Sequence, residues 1–151
     1  MAILGIVAMI ACEPKNVKPD YEKQIAGNWE VKTYYHWYHD FTDENLSFET
    51  SVTLPDANYQ GYDSIEFKTD GTSRWHMTDL WVQQGMFDDS YRTLNWQIVG
   101  DTLIVDFAGK FAIKELNNEN LVIEQYRNNG HEEYSHHHSE QIHRYTLKRV
   151  Q

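Results

Sequence analysis

From Gly27 onward the chain is cut into short runs of alternating apolar and polar residues, separated by turn-forming residues, and no long helical period interrupts them. In an extended strand successive side chains point to opposite faces, so such runs can bury one face and solvate the other. The first run is the longest. Counting in twos places Trp29, Val31, Thr33, Tyr35 and Trp37 on one face, and Asn28, Glu30, Lys32, Tyr34 and His36 on the other. Later runs carry inward pairs in the same manner: Ile65 with Phe67, Trp75 with Met77, Leu94 with Trp96 and Ile98, Leu121 with Ile123, and Tyr145 with Leu147. The breaks between them are tight. Gly71 sits in Thr69–Thr72, Gly100-Asp101 is a Gly-first pair suited to a primed hairpin turn, and Asn117–Asn120 is a third turn. The expected fold is therefore all-β: an antiparallel up-and-down β-barrel of about eight or nine strands, after a short helical turn that Asp20 can cap. An open two-sheet sandwich is the rival, and consecutive hairpins favour the meander, because Greek keys need a long crossover.

With 151 residues, 40% of them hydrophobic and 14% aromatic, one domain with a substantial core is expected. The formal net charge of −10 opposes phosphate backbones, so nucleic acid is excluded as an expected partner.

The single cysteine, Cys12, ends an uncharged apolar run over residues 1–11. That run is too short to span a bilayer, which takes about 20 apolar residues, but matches the apolar region of a secretory signal. Met9-Ile10-Ala11-Cys12 is similar to a bacterial lipobox, although no Lys or Arg precedes it and Met9 stands where Leu is usual. The expected organisation is a lipoprotein signal and anchor over residues 1–12, with a covalent lipid on Cys12. A polar tether follows over 13–23, with Pro14 and Pro19, and a barrel domain over 24–151. A buried strand or short core helix holding a free thiol is the competing reading of residues 1–12.

Four motifs in order resemble the lipocalin-like lipoproteins of Bacteroidota. Beyond the anchor and tether they are Ile25-Ala26-Gly27-Asn28-Trp29 at the first strand, then Ile65-Glu66-Phe67-Lys68-Thr69-Asp70-Gly71-Thr72. Next come Trp96-Gln97-Ile98-Val99-Gly100-Asp101-Thr102-Leu103 and the closing Tyr145-Thr146-Leu147-Lys148-Arg149. The resemblance covers roughly residues 24–150. It implies an outer-membrane, lipid-anchored barrel in which Gly27, Trp29 and Arg149 close one end, the guanidinium lying over the indole.

Candidate sites follow. Tyr35, Trp37, Trp75, Trp96 and Tyr145 are expected to share the barrel interior and to line a pocket for a small apolar or amphipathic ligand; otherwise they are ordinary core. His136 and His138, aided by Glu132 or Glu133, are a weak metal candidate against a solvated polar loop. The acidic clusters Asp88-Asp89 and Asp40, Asp43 and Glu44 match no calcium loop. No Gly-x-Ser-x-Gly, His-Glu-x-x-His or phosphate loop is present, so no catalysis and no cofactor are expected. The first functional expectation is a non-enzymatic ligand-binding lipoprotein. The alternative is an accessory subunit of an outer-membrane protein assembly, docking through exposed aromatics such as Tyr34, Tyr38 and Trp81.

Overall fold

The computed structural model describes residues 20–54, 63–76, 91–129 and 138–151. Cys12, the tether up to Pro19, Met77, Trp81, Asp88-Asp89, Glu132, Glu133 and His136 lie outside these residues. Helix α1 (Tyr21–Ile25) is followed by nine strands: β1 (Gly27–Asp40), β2 (Phe48–Thr53), β3 (Ser64–Phe67), β4 (Thr72–His76), β5 (Tyr91–Val99), β6 (Thr102–Val105), β7 (Gly109–Leu116), β8 (Asn120–Asn128) and β9 (Ser139–Arg149). Every pairing is antiparallel. Sequential neighbours pair from β3 to β9, and β9 returns to β1 along its whole length, which closes the sheet. The fold is an eight-stranded antiparallel barrel with one extra strand, as the alternation and turns indicated.

The extra strand is β2. It pairs with Thr33–Tyr38 of β1, while β3 pairs with Gly27–Glu30. Both run antiparallel to β1 along the same edge, so β2 and β3 behave as two halves of one interrupted strand. The interruption falls where Leu54 N–H donates to the Lys32 carbonyl (2.7 Å) and Val31 N–H donates to the Asp63 carbonyl (2.8 Å).

The other edge of β1 carries a β-bulge at the same level. Val31 pairs with Leu147 and Thr33 with Thr146, leaving Lys32 as an extra residue. A bulge of one residue reverses the phase of alternation beyond it. Trp29 and Val31 face inward, but the inward residues of the upper half are Tyr34 and His36, not Thr33, Tyr35 and Trp37. The uninterrupted count along β1 is therefore corrected. β7 uses the same device at Lys114, between Ile113 and Glu115, so that Phe111, Ile113 and then Leu116 turn to the core.

At one end the barrel is closed. Asp20 caps α1 by accepting from Lys23 N–H, and Ile25 on the helix is fully buried. The hairpin turns β3–β4, β5–β6 and β7–β8 surround the same end. Gly71 at φ 83° and Gly100 at φ 68° supply the positive φ that these tight turns require. Above this floor the core is apolar: Ile65, Phe67, Trp75, Leu94, Leu103, Phe111, Leu121 and Leu147 are all buried.

Candidate functional site

The closing motif comes together at the floor. Trp29 is fully buried and donates its indole N–H to the Ile25 carbonyl at 2.7 Å. The Arg149 guanidinium lies over that indole, 4.2 Å from Cζ to the ring centroid, a cation–π contact. Arg149 also donates to the Ala26 carbonyl (2.8 Å), the Gln24 carbonyl and the Asn118 carbonyl (2.9 Å). It thus ties the last strand to the end of α1 and to the β7–β8 turn. Gly27 has φ +133°, which L side chains rarely adopt, and a Cβ there would stand 2.5 Å from an Arg149 nitrogen and displace the guanidinium. A depression of about 330 Å³ lined by Asn118, Glu119, Lys148, Arg149 and Gln151 lies beside this polar floor.

Of the five aromatic candidates for the interior, three are there and two are not. Trp75 and Tyr145 are fully buried, and Trp96 nearly so. Two of them pin the lower barrel. Trp96 donates its indole N–H to the Thr72 carbonyl (2.9 Å) across the β3–β4 turn, and Trp75 donates to Ser73 Oγ (2.8 Å). Phe67, Trp75, Phe111 and Tyr145 then pack in an aromatic chain with centroid separations of 6.2–6.3 Å. Tyr35 and Trp37 are corrected to the outer face by the Lys32 bulge. There Arg144 lies 5.4 Å over the Tyr35 ring, and Trp37 stacks on His39 at 5.7 Å. The docking aromatics change sides as well: Tyr34 is buried in the interior, and Tyr38 turns inward to donate to Asp40 Oδ2 (3.1 Å).

The inner wall formed by β8, β9, β1 and β2 is graded, and pairing register fixes the gradient. The lowest row is Leu121, Leu147 and Val31. The next is Ile123, Tyr145, Tyr34 and Val52. Above it come Gln125, His143, His36 and Thr50, and then Arg127, Gln141, Tyr38 and Phe48. Polarity therefore rises away from the floor along β8 and β9, while β2 brings the apolar Phe48 to the highest row.

The upper rows form a connected polar group. The Tyr34 hydroxyl is 2.9 Å from His143 Nδ1, and His143 Nε2 is 3.1 Å from Gln141 Oε1. With the imidazole neutral, Tyr34 O–H donates to Nδ1 and the Nε2–H donates to Gln141. His36 stacks on His143, centroids 4.2 Å apart and planes within 20°. Tyr34 stacks on Tyr145 at 5.0 Å, and Phe48 meets His36 edge-on at 4.9 Å. Gln125 donates to the Ala108 carbonyl (2.8 Å) and accepts from Arg127 Nε (2.7 Å).

Burial governs the ionisation of this group. It pushes the His143 pKa down to about 3, with the neighbouring His36 and the Arg127 charge acting in the same direction. Burial likewise lowers His36 and raises Tyr34 and Tyr145. Both imidazoles are therefore neutral near pH 7, which lets them stack. At the rim the Asp40 carboxylate accepts from the Thr42 hydroxyl (2.5 Å), Thr42 N–H (2.8 Å) and Asp43 N–H (3.0 Å), which hold it well below the usual carboxylate range.

The sequence pattern alone singles out neither His36 nor His143 as a site residue. His143 had a signal, since it lies two residues before the inward Tyr145. His36 had none while the strand was counted without its bulge. For the metal candidate, His138 is exposed and packs against Phe41 at 4.8 Å. Among the described residues, no group of three His, Cys, Asp or Glu side chains could hold a metal ion. Set against protein-family profiles, curated proteins and solved structures, the chain matches none of them.

Proposed function

We propose that this protein is a lipid-anchored outer-membrane lipoprotein whose barrel holds a small amphipathic molecule, apolar part inward and polar part toward the mouth. The observation that carries the reading is the graded wall. A side chain in each successive row gains polar capacity, from Leu147 through Tyr145 to His143 and Gln141. A filled structural core has no need of such order, because buried polar groups cost free energy unless each is matched. A concave apolar surface with a few converging polar groups is the usual form of a small-molecule site. The anchor reading rests on Cys12 alone, placed between an apolar run and a Pro-containing tether.

One preparation tests both parts. Cys12→Ser is expected to move the protein from the membrane fraction to the soluble fraction while the domain folds; an unchanged partition would refute the anchor. Native mass spectrometry of that soluble form should show a bound small molecule of the source membrane. The second reading, a docking subunit, has one observation in its favour: Tyr126, Ile142 and Trp37 make an apolar row across the outside of β8, β9 and β1. A protein partner retained in the same spectrum, with an empty barrel, would favour it.

A further inference from the structure

Within the graded wall one residue is chemically incomplete. His36 is 4% exposed, and neither of its ring nitrogens finds a hydrogen-bond partner among the described residues. Much of its neighbours' capacity is used elsewhere. His143 uses one nitrogen on Tyr34 and the other on Gln141, Gln125 uses its amide on Ala108, and the Gln125 oxygen accepts from Arg127. A neutral imidazole offers one N–H donor and one lone pair, and leaving both buried and unmade is costly. We propose that His36 recognises a neutral hydroxyl on the ligand, so that the barrel's ligand class is an apolar alcohol or phenol rather than a carboxylic acid. This rests on the ligand-binding reading above and specifies its polar end.

The chemistry separates the two head groups. A hydroxyl donates and accepts, so it can answer the His36 N–H or its lone pair. A carboxylate only accepts, so it could answer the His36 N–H but never the lone pair, and it would bring a full negative charge into a buried site. Burial is the largest influence on the ring and opposes protonation; the nearby Gln141 side chain favours it, and the positive charge of Arg127 opposes it. The apolar part of the ligand would lie against Phe48, which is 47% exposed. The chain's net charge of −10 also disfavours the approach of an anion.

The test uses one ring skeleton with three substituents: 1-naphthol, 1-naphthoate and naphthalene, titrated calorimetrically into the full chain at pH 7. Naphthol should bind about tenfold more tightly than either relative, the worth of one well-made buried hydrogen bond. His36→Phe should abolish that preference. His36→Gln, which keeps a donor and an acceptor, should retain most of it and serves if His36→Phe fails to fold. Tighter binding of naphthoate, or equal binding of all three, overturns hydroxyl recognition but leaves the barrel as a ligand site. Binding of none of them overturns both.

Discussion

Trp29→Ala is expected to destabilise the domain by about 3–5 kcal/mol, the range for truncating a large buried aromatic. Three losses combine at this site. The indole is fully buried, so its removal opens a cavity at the floor. Its N–H no longer satisfies the Ile25 carbonyl at the end of α1. Arg149 loses the ring that its guanidinium covers, although it keeps its backbone acceptors at Gln24, Ala26 and Asn118. A domain of this size has about 5–15 kcal/mol in all, so the variant should sit near the edge of stability. Urea unfolding monitored by far-ultraviolet circular dichroism measures this directly. A loss below about 1 kcal/mol, the scale of a surface substitution, would mean that Trp29 does not close the floor.

The second large effect is on acid stability. His143 ordinarily titrates near 6.5 and in the fold near 3. Above 6.5 neither the folded nor the unfolded chain holds this proton, and its contribution is fully present. As the pH falls below 6.5 the unfolded chain takes up the proton and the folded chain does not. Stability should therefore fall by up to about 1.4 kcal/mol per pH unit, until the folded-state value near 3 is reached. His36 is shifted in the same direction and adds to the slope. The Asp40 carboxylate contributes in a lower window, because its ordinary value is 3.8 and the fold lowers it further. Urea midpoints between pH 7.5 and 5 isolate the histidines from the carboxylates. In His143→Gln the slope over this range should flatten clearly; an unchanged slope would show that His143 is not held neutral by burial.

The barrel was legible because its signals are local and redundant. Ile65 and Phe67, Leu121 and Ile123, and Tyr145 and Leu147 each alternate with polar residues, and Gly71 and Gly100 mark turns that need positive φ. The closing motif was legible because the last strand runs antiparallel to the first, which puts Arg149 beside Trp29. The upper half of β1 was not legible. Tyr34, Tyr35, His36, Trp37 and Tyr38 are aromatic on both faces, so that stretch has no polarity contrast from which to read its phase. The phase had to be carried up from Trp29 and Val31, and one extra residue at Lys32 reverses it. The clue is the polar pair Lys32-Thr33 directly after an inward Val31, a pattern repeated by Lys114-Glu115 after Ile113 in β7. The contact between His36 and His143 depends on that bulge and on pairing over a long stretch of chain.

Which face of β1 turns inward decides whether the polar row exists at all, and cysteine accessibility reads it residue by residue. In a Cys12→Ser background, Tyr34→Cys, Tyr35→Cys, His36→Cys and Trp37→Cys would each be treated with a bulky polyethylene-glycol maleimide under native conditions. Tyr35→Cys and Trp37→Cys are expected to react rapidly from the outer face. Tyr34→Cys and His36→Cys should stay protected until the protein is unfolded. The reverse pattern, with positions 34 and 36 labelled quickly and 35 and 37 protected, would contradict the bulge, the inward histidine and the site built on it.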